Sequence, residues 1–358
     1  NLFKAALEID TTFARSYSGL AGIYNIRYFF ENYFDERFLD SCLILANLAL
    51  SFDDQLDEAY FLKGQYNYAN GNLEDAIKYL DEALKNNPNY SQAYIRKGYI
   101  LTWHLADFVR GIENYHNALN LIQGDERPAL LSSLARAYLD VGFVDKARDL
   151  YNEAYTLDGD KGNLYSSLQW LEFSKGNIEE AVRLLRVCAA IDTTYTSNLF
   201  MYSILPGNED EAYSHAQKLI YKSNKTGELN LIQSHRIGYA LWQVGKQNEA
   251  EQYFKQQIRY SEESIKLGRP IAQRKAAQYD LAATYAFLGD KGAAYRYLND
   301  FNSLGFYPLW WISLAKHDPL FNSLRNEDAF QKIVTTMEAK HDAEHERVRR
   351  WMEEQEIR

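Results

Sequence analysis

His341 and His345, one helical turn apart in His341-Asp342-Ala343-Glu344-His345, have the spacing that best suits metal ligation in this chain. Side chains at i and i+4 share one helix face, where two imidazoles can meet one ion. The surrounding stretch from Glu338 to Arg358 is densely charged, which reads more simply as a solvated terminal helix. It also lacks the His-Glu-x-x-His order of zinc proteases. His317-Asp318 has the composition of an acid–base dyad. Neighbours in sequence need not face each other, however, and neither a nucleophile elbow nor a Gly-rich phosphate loop accompanies them. Asp318-Pro319 fits a helix start better. Cys42 and Cys188 are the only cysteines, too few for a disulfide framework and without metal-ligand spacing. The expectation is a chain with no catalytic residue, metal or cofactor.

The elements that would position any site are helices. The chain has 358 residues, too many for one compact core, yet no Pro-, Gly- or Ser-rich linker divides it. Its six prolines leave helices nearly uninterrupted, and most glycines fall between apolar-periodic segments. Hydrophobic residues make up 46% and aromatics 15%, so ordered structure is expected throughout. The formal charge of −10 argues against a nucleic-acid footprint. No apolar run approaches the roughly 18 residues of a membrane span and no signal peptide opens the chain, so a soluble segment, with the cytoplasm favoured, is expected.

Self-similarity supplies the architecture. Residues 57–90 carry Tyr60, Gly64, Gly71, Ala76, Leu80, Ala83 and Pro88, and a second copy begins at Ser91. Two antiparallel helices approach closely only where a small residue faces a large one, so Gly64 and Ala76 admit the flanking bulk of Tyr60 and Leu80. Residues 128–161, 162–195, 231–264 and 275–308 repeat the scheme, with Gln169 standing in one small-residue slot. Units near 14–56, 91–127 and 196–230 are degenerate. The first holds an aromatic insertion of Tyr28, Phe29, Phe30, Tyr33 and Phe34 before Cys42, Ala46 and Ala49. Asn1–Asp10 reads as the second helix of a pair whose first is missing, as in a fragment of a longer protein.

These positions resemble the tetratricopeptide repeat (TPR) of about 34 residues. The resemblance implies an all-α, right-handed TPR superhelix (α-solenoid) over 1–308, with about eight helix pairs and an orphan helix in front. The segment 309–358 would then be a C-terminal cap and charged helix, with Trp310, Trp311, Leu320, Phe321 and Leu324 covering the last repeat. From Asp318-Pro319-Leu320-Phe321 through Leu324-Arg325 to Phe330, the tail resembles the ends of bacterial signalling proteins that carry a C-terminal TPR array behind a cyclase, winged-helix or TolB-like module.

In such arrays certain first-helix positions line a concave groove. Here the resemblance places Phe61, Tyr68, Tyr99, Trp103, Arg136, Trp170, Phe173, Tyr239, Trp242, Tyr279 and Phe287 on that wall. Aromatics give large contact area at low entropic cost, so the stripe is the candidate binding surface. The bland alternative is that many of these rings pack between repeats. The carboxylate clamp of some TPR domains would fall on Phe61, Gln65, Ile95, Tyr99, Ser132 and Arg136, and without its basic set that chemistry is disfavoured. The function expected is a non-catalytic module, sensor or regulator in a larger bacterial signalling protein, that binds a protein or peptide in the groove. The alternatives are a scaffold that self-associates through the Phe29–Phe34 insertion or the last helix, and a small-molecule or glycan receptor stacking on Trp103, Trp170 and Trp242.

Overall fold

The computed structural model describes residues 2–30, 36–226, 234–268, 272 and 274–356, and among them every regular element is a helix. Helix α1 (Leu2–Ile9) precedes eight antiparallel pairs. These are α2 (Ala14–Phe30) with α3 (Glu36–Phe52), α4 (Asp57–Ala69) with α5 (Leu73–Asn86), α6 (Ser91–Trp103) with α7 (Phe108–Leu121), and α8 (Arg127–Asp140) with α9 (Val144–Asp158). The series continues with α10 (Lys161–Ser174) and α11 (Ile178–Ile191), α12 (Thr196–Ser203) and α13 (Glu209–Thr226), α14 (Ser234–Gln243) and α15 (Gln247–Lys266), and α16 (Ala276–Leu288) and α17 (Lys291–Phe301). Helices α18 (Leu309–His317) and α19 (Asp328–Glu354) close the chain, joined through a 3₁₀ turn at Pro319–Phe321. The aromatic insertion lies partly outside the described residues, at 31–35.

Local chemistry sets the ends of these elements. Glu74 and Asp75 in the first turn of α5 and Lys85 in its last turn complement the helix dipole. The Asp160 carboxylate accepts from Asn163 N at 3.0 Å to cap α10, and Asp290 does the same for α17 from Ala293 N at 2.9 Å. The turn inside the 57–90 pair passes through Gly71 at φ 77°, where a β-carbon would be strained. Within a pair the small-against-large rule holds repeatedly. A β-carbon on Gly64 would sit 3.0 Å from Leu80 Cγ, one on Gly98 3.0 Å from the Tyr115 ring, and one on Gly238 2.9 Å from the Phe254 ring.

The chain divides into two compact units, Asn1–Leu134 and Ala135–Arg358. The segment after the last helix pair belongs to the core of the second unit. Leu320, Phe321 and Leu324 are fully buried in the same cluster as Phe254, Tyr279 and Phe301. Asp318, 0% exposed, ties the cap down. Its carboxylate accepts from Arg236 Nη2 at 2.8 Å, Tyr279 OH at 3.1 Å and Leu320 N at 3.2 Å. Arg325 donates to the Asp318 and Lys316 carbonyls, closing the turn from the other side.

The terminal helix is not solvated along its length. His341 Nδ1 donates to the Tyr307 carbonyl at 3.0 Å, and His345 Nδ1 donates to that of Val141 at 2.7 Å while its ring stacks on Phe143 at 4.4 Å. Val348 and Met352 are buried beyond them. High charge density in the sequence concealed a buried stripe of His341, Val348 and Met352. Both imidazoles orient a helix against a turn, and no group of three or more metal-ligating side chains occurs among the described residues.

Candidate partner-binding groove

In the first unit the inner faces of the first helices enclose a cavity of about 730 Å³. Helix α2 supplies Arg15, Ser18, Gly19, Gly22, Asn25 and Ile26, α4 supplies Glu58, Phe61, Leu62 and Gln65, and α6 supplies Gln92, Ile95, Arg96 and Tyr99. Residues spaced three, four and seven apart recur because they lie on one face of each helix. Phe3 from α1 lies at the Gly19 position, where a β-carbon would meet its ring at 2.4 Å.

Of the expected groove residues, Phe61 and Tyr99 line this cavity. Tyr68 and Trp103 flank it, Tyr68 meeting the Tyr99 ring edge-on at 6.0 Å and Trp103 stacking on Tyr99 at 6.2 Å. Trp103 keeps 37% of its surface exposed. The four rings therefore form one wall with area left for a partner.

The polar groups in the cavity are unusually under-used. Gln65 and Asn25 are 4% and 8% exposed, yet Gln65 Oε1 and Asn25 Oδ1 have no hydrogen-bond partner, nor does Glu58 Oε2. Burial raises the Glu58 carboxyl above its usual range, and Asp57 beside it adds to the rise, while Arg15 opposes it. The Arg96 guanidinium lies over the Tyr68 ring at 5.1 Å and the Tyr99 ring at 5.8 Å. Its burial lowers its proton affinity, and among the described residues no carboxylate pairs with it.

The second unit uses its aromatics differently. Phe173 and Tyr279 are each 1% exposed and Tyr239 is 8% exposed, so these three are core residues and offer a partner almost no area. Tyr279 is enclosed by Trp311 at 4.8 Å and Phe321 at 5.4 Å, both from the cap. Trp170, half-buried, carries Trp310 of the cap edge-on at 6.0 Å and the Arg136 guanidinium at 4.1 Å. Arg136 is itself paired with Asp140 at 2.9 Å. Trp242 and Phe287 are also half-buried and meet edge-on at 5.7 Å. The repeat resemblance placed all these rings on one groove wall, but it carried no information that the chain's own C-terminal segment packs against several of them.

Residues 57–90 and residues 234–264 each match a tetratricopeptide-repeat family model. These are TPR units. They contain the Gly64–Leu80 and Gly238–Phe254 approaches respectively. No curated protein matches the chain. Among solved structures, it is similar to a tetratricopeptide repeat protein from Parabacteroides merdae, 14% identical, covering 79% of this chain and 99% of that one at a TM-score of 0.48. It is also similar to YrrB, described as a TPR protein with an unusual peptide-binding site, 17% identical over 54% of this chain and 93% of that one, TM-score 0.41. A third is the human IFIT1 dimer with PPP-AAAA, 15% identical over 75% of this chain and 68% of that one, TM-score 0.47.

Sequence reading missed Gly22, Asn25 and Arg96. Ala21 already fills the small-residue slot of its pair, so a second small residue beside it had no packing role to play. That redundancy was the available signal. Arg96 lies one residue beyond Ile95, the position that the clamp comparison inspects.

Proposed function

We propose that this chain is a protein- or peptide-binding module whose binding surface is the inner face of α2, α4 and α6, and that it serves as the sensory or regulatory part of a larger bacterial signalling protein. One observation carries the reading. The first unit keeps an open cavity walled by Phe61 and Tyr99, whereas in the second unit Trp170 and Tyr279 are covered by the chain's own Trp310 and Trp311. Aromatic walls with free area and few convergent polar groups are the usual make-up of a binding cleft. The signalling context rests on the tail, whose Asp318-Pro319-Leu320-Phe321 and Arg325 resemble the ends of such proteins.

The test is capture by the folded chain beside a Phe61→Ala, Tyr99→Ala variant, with bound proteins identified by mass spectrometry. A protein captured by the first and lost from the second, at comparable melting temperature, is the expected result. Equal capture by both would move the binding surface elsewhere.

A further inference from the structure

One cation in the first unit's cavity has no anion answering it among the described residues. Arg96 sets its guanidinium over the Tyr68 and Tyr99 rings, at 5.1 and 5.8 Å, and makes no hydrogen bond or ion pair with any described residue. Its nitrogens are not among the sealed, partnerless atoms of the interior, so they open into the cavity that Arg96 lines. Arg15, the other cation on the wall, differs, because its field falls on Glu58. A half-buried guanidinium held flat on two rings keeps its edge for a carboxylate, and partial desolvation strengthens that charge-assisted bond.

The space beside Arg96 is bounded and mostly aromatic. The residue after the small-residue slot is Gln65 in α4, Tyr99 in α6, Arg136 in α8 and Trp170 in α10, but Gly22 in α2. A β-carbon on Gly22 would meet nothing within 4 Å, and an interior glycine weakens a helix relative to alanine, so packing does not explain it. Its missing side chain leaves a recess in the wall that also carries Phe61, Tyr90 and Tyr99. The Phe61 and Tyr90 rings stand 5.2 Å apart, tilted by 50°. Phe3 bounds the cavity on the α1 side, its ring filling the space over Gly19. A bounded recess with ring faces and one free cation suits a compact planar anion.

We infer that this cavity binds a small aromatic carboxylate, a fused planar ring seated in the recess at Gly22 beside Phe61 and Tyr99 with its single carboxylate on Arg96. The inference goes beyond the partner-binding reading and does not depend on it, since Trp103, 37% exposed, lies outside the cavity wall and stays available to a partner. A planar ring is specified because aromatic faces reward stacking with a flat body, which a flexible aliphatic chain supplies poorly. A single carboxylate is specified because Glu58 is itself acidic and Arg15 already acts on it, so a second anionic group would meet repulsion there.

The probe is naphthylacetate, compared with its neutral amide, with naphthylethylamine and with octanoate, by titration calorimetry on the full chain. The aromatic acid is expected to bind at least about tenfold more tightly than the amide, with the amine and octanoate weaker still. Arg96→Gln should erase the preference for acid over amide, and Arg96→Lys should keep part of it, which separates loss of charge from loosening of Tyr68 and Tyr99. Gly22→Leu fills the recess and should abolish binding of acid and amide alike, with the melting temperature unchanged or higher. Undiminished binding to Gly22→Leu, a preference that survives Arg96→Gln, or octanoate binding as tightly as the aromatic acid overturns the assignment. Tighter binding of an acetylated tripeptide ending in phenylalanine also overturns it, by giving the site to a chain terminus. If the naphthyl acid does not bind at millimolar concentration while the wild-type chain still captures a protein that Phe61→Ala, Tyr99→Ala loses, the small-molecule assignment alone fails.

Discussion

His235 and Asp280 show how a buried and a partly buried group in the second unit offset each other. The His235 ring lies 3.6 Å from the Asp280 carboxylate and accompanies the buried Arg236. Burial pushes His235 down to about 3, aided by the Arg236 charge, and pushes Asp280 up to about 7. A depressed histidine loses stability as pH falls through its unfolded value, near 6.5, toward 3. A raised aspartate loses it as pH rises from its unfolded value, near 3.8, toward 7. Between about pH 4 and 6.5 the pair binds one proton both folded and unfolded, so its contribution is flat. Asp280→Asn removes the compensation. Its stability should then rise by about 1.4 kcal/mol per pH unit over that window relative to wild type, measured by denaturant unfolding at three pH values. Parallel pH profiles would mean the pair does not titrate as described. Nothing in the sequence disclosed this pairing, because the two residues are far apart in the chain, whereas the Gly64–Leu80 approach was legible from repeat spacing alone.

At the scale of elements, the cap is the feature that sequence reading described incompletely. Trp310, Trp311, Leu320, Phe321 and Leu324 were recognisable as a covering set by their apolarity after the last repeat. Its buried ion pair was not, since Arg236 belongs to the first helix of an earlier repeat and periodicity assigns no partner to a charge. Removing one member of such a pair leaves an unpaired buried charge, so Asp318→Ala should cost about 3–5 kcal/mol. It should also release α18, seen as a red shift of Trp310 and Trp311 emission before global unfolding. The double replacement Arg236→Met, Asp318→Leu should cost less than the single one, because it removes the desolvated charge as well as its partner. A single variant that melts like wild type would show that Leu320 and Phe321 hold the cap without the ion pair.

At the scale of the whole molecule, the helical class and the approximate number of helix pairs were readable, because stacking demands a small residue opposite a large one in most pairs. The groove was readable only as a face. Which rings on that face remain available depends on what packs over them, and in the second unit the chain packs over several itself. On the function proposed above, α2, α4 and α6 form the partner surface, whereas Phe173, Tyr239 and Tyr279 are core residues. Hydrogen exchange of the full chain, with and without the protein it captures, tests this most directly. Slowed exchange confined to residues 14–30, 57–69 and 91–103, with 234–243 and 276–288 unchanged, is the predicted result. Slowed exchange in 234–243 and 276–288 instead, with the first unit unaltered, would contradict it.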